Sequence, residues 1–207
     1  MNRRMIAIGA GTLVIGILSL GGYAIAQTST GDAEKSLRDI QAKGPDEAIV
    51  ARVNGVPIRR RSVDIAFAVS NAANIADSKG RPLANSDKAD LLNREIDDEL
   101  LAQAAEKNGI VASDDEVTMA IKAGIVDPLA SPDVPENLKS LLRESLAASG
   151  VSLQNVTEDT DVRTGIRRFL LIQRYSSTSK SPRETRLAEA KASANIEIFL
   201  DVLNAPR

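Results

Sequence analysis

The 207-residue sequence predicts a mainly α-helical domain with a small antiparallel β-sheet, and three observations lead there. Asn54-Gly55 stands between the β-branched runs Ile49–Val53 and Val56–Ile58, the strongest short hairpin signal, because both turn positions need a positive φ that glycine takes freely and asparagine tolerates. The stretch that follows repeats Leu, Ile, Val and Ala at helical spacing. Only Phe67, Phe169, Tyr175 and Phe199 are aromatic beyond residue 26, so the core has to be aliphatic, which favours helices. Near the C terminus Ile196, Ile198 and Leu200 alternate with Glu197, Phe199 and Asp201, a strand period. Two strands do not hold together alone in water, so this third one is expected beside the hairpin, joining the two ends of the domain.

The chain opens with Arg3 and Arg4, then 22 uncharged residues from Met5 to Ala26 that end in Ala24-Ile25-Ala26 behind a Gly21-Gly22 pair. Residues 1–26 therefore read as a signal peptide cut after a small-x-small site, or as an N-terminal membrane anchor, since about 20 apolar residues span a bilayer. Either way the arginines stay inside and the rest is exported, to the periplasm, free or held at the inner membrane. Residues 27–48 are Thr, Ser, Gly, Asp, Lys and Gln with an amphipathic hint at Leu37 and Ile40; they read as a flexible linker. The folded domain is expected over 49–207.

Within it, Ser62 reads as the N-cap of a helix to about Ala76, and "DSKGRPLANSD" as a polar loop. Asp87–Asn108 carries the clearest helical stripe (Leu92, Ile96, Leu100, Ala104), stopped by Asn108-Gly109, with Ile110 placed to fold back on the last turn. Asp97, Asp98 and Glu99 read as a solvated face. Ser113-Asp-Asp-Glu116 is a capping box for a short helix that buries Val117 and Ile121. "GIVDPLASPDVP" reads as irregular. Leu138, Leu141, Leu142 and Leu146 give the next helix, ended by Ser149-Gly150, and Asp161–Tyr175 another, capped by Thr157. "SSTSK" reads as a linker, and Ser181-Pro182-Arg183-Glu184 as a capping box with proline in the first turn.

Composition removes most chemistry. With neither His nor Cys, the chain has no imidazole base, no thiolate, no zinc site of the common kind and no disulfide. Its 26 basic and 28 acidic groups give a formal charge of −2, so no nucleic-acid partner is expected. Ser177-Thr178-Ser179-Lys180 spells S-x-x-K without its companion motifs, and Glu158, Asp159 and Asp161 lack the glycine and bidentate glutamate of a calcium loop. No catalytic, metal or cofactor site is expected. Arg59, Arg60 and Arg61 read as charges guarding a strand end, or else as a site for acidic lipid or partner.

"VARVNGVPIRRRSVD", "LLNREIDDELLAQAAEKNGIVASDDEVTMAI" and "VRTGIRRFLLIQRY", in that order, resemble the N-terminal chaperone module of SurA-type periplasmic folding factors, also found in PpiD-like and PrsA-like proteins. "KASANIEIFLDVL" is similar to the segment that returns in that family to pair with the opening strands. The resemblance implies a helical cradle, closed by N- and C-terminal strands, that holds unfolded or extended apolar segments of exported proteins. Parvulin domains usually sit before the returning segment; here only "SSTSK" does, and a parvulin site uses histidines, so no prolyl isomerase activity is expected. Phe67, Met119 and Phe169 are the candidates to line a peptide groove. The other reading is a membrane-associated assembly subunit holding one fixed partner.

Overall fold

The computed structural model describes residues 31–44, 47–77 and 87–205; the leader reading of residues 1–26 and most of the polar loop lie outside them. The element order is α1 (Gly31–Ala42), β1 (Ile49–Val53), β2 (Val56–Arg59), α2 (Arg60–Asp77), α3 (Asp87–Lys107) and α4 (Asp114–Ile121). A π-turn (Lys122–Val126) leads into α5 (Asp127–Ala130), then α6 (Glu136–Ala148), a 3-10 turn (Leu153–Asn155), α7 (Thr160–Thr178), α8 (Arg183–Ala192), β3 (Ile196–Ile198) and α9 (Leu200–Asn204).

The hairpin forms as its turn chemistry requires, with φ of 51° at Asn54 and 86° at Gly55. β3 pairs antiparallel with β1, Ala51 opposite Ile198 and Val53 opposite Ile196, giving the order β2-β1-β3. Asn54 also ties the ends of the domain together: its N–H donates to the Asn195 carbonyl at 2.8 Å and its Oδ1 accepts from the Asn195 N–H at 2.8 Å. The sheet's apolar side (Val50, Ala51, Val53, Ile58) packs on Leu92, Ile96 and Leu100 of α3 and on Leu203 of α9. The alternation stops at Ile198, because α9 begins at Leu200 and turns Leu203 into this core.

Helix ends follow the local chemistry. Gly109 closes α3 at φ 74°, its N–H bonding to the Glu106 carbonyl and that of Ile110 to the Ala105 carbonyl, a Schellman pair. The Ser113–Glu116 capping box is present in both directions.

Several expectations are corrected. Residues 31–42 are a helix, not a tether: Ala33 and Leu37 are buried with Ile65, Ala68 and Val69 of α2 and Leu138 and Leu141 of α6. α2 starts at Arg60, directly from β2, so Ser62 lies inside it and caps nothing. The segment after Ile121 is helical up to Ala130, passing through the π-turn. Asp159, not Thr157, caps α7, taking the N–H groups of Asp161 and Val162 at 3.0 Å, and α7 absorbs Ser176, Ser177 and Thr178 of the supposed linker. α8 has no side-chain cap.

Candidate functional site

α3 presents Glu95, Asp98 and Glu99 to the helices packed on it, where they are 3%, 6% and 7% exposed, so the solvated-face reading is also corrected. Burying a carboxylate is costly unless a cation and hydrogen bonds accompany it. Arg168 of α7 supplies that cation to two of them, at 3.3 Å from Glu95 and 3.0 Å from Glu99, and Arg183 of α8 meets Asp98 at 3.0 Å. The Arg163–Arg174 series that lines α7 is spent in the same way: Arg163 and Arg167 reach Asp114, and Arg174 reaches Glu116. Arg174 and the Ser113 cap hold the Glu116 carboxyl down from 4.5 to about 2. Arg143 likewise holds Glu136 below its usual range.

The arginine triplet is engaged inside the fold. Arg59 bridges to Glu47 at 2.9 Å and to Asp161 at 3.6 Å. Arg60 is buried, pairs with Asp64 and donates to the Ala205 carbonyl. Arg61 donates to the Ala148 carbonyl at the end of α6, the pole where a cation is favoured.

Between these pieces lies a cavity of about 320 Å3, at the lower end of the usual size for ligand pockets. One wall is all of β2, from Val56 to Arg59; the opposite wall is the first half of α7, with Val162, Thr164, Gly165 and Arg168. Its floor is apolar: Ile65 of α2, Ile125 of the π-turn, Leu146 and Val151 at the end of α6. The π-turn matters because it carries Ile125 inward, fully buried, while Val126 stays partly exposed. Arg59 and Asp161 reach across the mouth.

None of the three sequence candidates lines this cavity. Phe67 is half-buried on α2 against the sheet core, with the Lys88 ammonium 5.3 Å from its ring centre. Met119 is 61% exposed on α4, and Phe169 is half-buried on α7. Two cavity residues carried a signal that frequency and spacing alone did not raise. Gly165 sits in the middle of a 19-residue helix, where glycine costs about 1 kcal/mol against alanine. Pro57 stands in a strand, which marks an edge. Arg168 and Glu95 carried none, being 73 residues apart. Among the described residues no group of acidic side chains could hold a metal ion, and no helix is long and apolar enough to cross a membrane.

A family model described as the SurA-like N-terminal domain matches residues 4–125, more than half of the chain. The matched segment supplies β2, α2, Glu95 and Ile125 to the cavity, and the ends of α6 and α7 lie beyond it. No curated protein and no solved structure matches.

Proposed function

Because the chain belongs to the SurA-like N-terminal domain family, a family of chaperone-type folding-factor modules, we propose that it is an exported module that reversibly holds unfolded or extended apolar segments of other exported proteins. The observation that carries the reading is the half-open cavity between β2 and α7, where Val56, Pro57 and Val162 offer apolar surface above the buried Ile65, Ile125, Leu146 and Val151. A client segment covering roughly 100 Å2 of such surface gains about 2.5 kcal/mol before ordering costs are subtracted, the strength of a weak and reversible grip. No bond-making chemistry is assigned: a parvulin-type site draws on histidines, and this chain has none. Location in the periplasm, free or at the inner membrane, belongs to the same proposal and is supported by the leader-like sequence of residues 1–26 together with the family.

The test is aggregation of several unrelated, chemically unfolded proteins on dilution, followed by light scattering with and without the chain. Slower aggregation of most of them is expected. Protection of none, with one folded envelope protein co-purifying in fixed ratio, would replace this reading by that of an assembly subunit.

A further inference from the structure

The cavity meets β2 edge-on, since side chains alternate along a strand and yet all four residues Val56 to Arg59 line it. The sheet register says what that edge offers. The Asn54 N–H and the Val50 carbonyl point to β3, and the Arg60 N–H donates to the Ala48 carbonyl of the chain leading into β1. Residues 56, 58 and 60 therefore turn their backbone groups toward β1, and 57 and 59 turn theirs away from it. Pro57 has no N–H, and the Arg59 carbonyl, directly ahead of α2, belongs to the first helical turn. What remains is one acceptor, the Pro57 carbonyl, and one donor, the Arg59 N–H. Among the described residues no backbone hydrogen bond outside the helices and strands takes up either.

A carbonyl and an N–H two residues apart on one strand are the pair that a single added strand engages. The charges select what that strand carries. Three carboxylates (Glu47, Glu95, Asp161) and three guanidinium groups (Arg59, Arg61, Arg168) line the cavity, so its charge is balanced and its complement is uncharged. Resting on the proposed chaperone role, we propose that the cavity takes an uncharged extended polypeptide by β-addition to the β2 edge through the Pro57 carbonyl and the Arg59 N–H, alternate side chains packing against Val162 of the facing helix. Pro57 limits the added strand to this one two-point contact. The edge that recognises a client thus cannot template a growing sheet.

Main-chain recognition is tested with three acetylated, amidated and fluorescein-labelled peptides of alternating leucine and serine: unmodified, N-methylated on every leucine, and N-methylated on every serine. Binding to the full chain is read by anisotropy, with the cavity-mouth variant Thr164→Trp and a detergent, octyl glucoside, as competitor arms. Because one edge of the peptide is used, one methylated peptide is expected to bind at least about fivefold more weakly and the other within about twofold of the parent. Equal binding of all three, or equal loss by both methylated peptides, overturns β-addition while leaving the cavity as a client site if Thr164→Trp still blocks the parent. Octyl glucoside displacing all three peptides alike would mark a merely apolar pocket and overturn it too. Parent binding unchanged by Thr164→Trp, or no binding at all, overturns both this inference and the assignment of the cavity.

Discussion

Replacing Leu37 by alanine separates a helix that belongs to the domain from a tether that does not. Leu37 is fully buried between Ile65 and Val69 of α2 and Leu138 and Leu141 of α6. The substitution removes the equivalent of about three methylenes, worth roughly 2.4 kcal/mol in transfer free energy. A cavity term adds to this, bringing the expected loss to about 3 kcal/mol, in the lower half of the range for buried leucines because α1 lies at the periphery and can settle inward. With a urea m-value near 2 kcal/mol/M, the midpoint moves down by about 1.5 M. Lys35→Ala, an exposed change on the same helix, is the control and should stay within about 0.5 kcal/mol. The assay is urea unfolding of the full chain followed by far-ultraviolet circular dichroism. A loss below about 0.5 kcal/mol for Leu37→Ala would refute the packing of α1.

Arg168→Met should cost about 3–5 kcal/mol, because it strands Glu95 and Glu99 without their cation, and adding Glu95→Gln and Glu99→Gln should recover much of it; chemical denaturation of the three proteins checks this. Glu116 gives a pH signature. Its carboxyl titrates near 4.5 unfolded and about 2 folded, so its stabilisation is complete above pH 4.5 and is lost as pH falls toward 2. In Glu116→Gln the decline of Tm with falling pH over that window should be shallower than in the parent; identical slopes would remove the Arg174–Glu116 strut as the cause.

Much of the fold was legible because its signals are local. Asn54-Gly55 dictates a turn by backbone sterics alone, Ser113–Glu116 satisfies two orphan donors within four residues, and the Leu92–Ile96–Leu100 stripe states which face of α3 is buried. α1 was missed because it buries only Ala33 and Leu37 among polar neighbours, a pattern that becomes a helix only when α2 and α6 cover it. The acids of α3 looked like surface because their cations stand 73 and 85 residues further along, a distance over which spacing carries no information. The cavity was illegible for the same reason. Its walls come from β2, α2, α3, the π-turn, α6 and α7, while Phe67 packs half-buried against the sheet core and Met119 is exposed on α4.

The most direct test of where this module holds its clients is site-specific photo-crosslinking, with a photoreactive residue placed at Val56 on the cavity rim or at Met119 on the exposed side of α4. An unfolded client should crosslink from position 56 and not above background from position 119. Crosslinks from 119 with none from 56 would contradict the account.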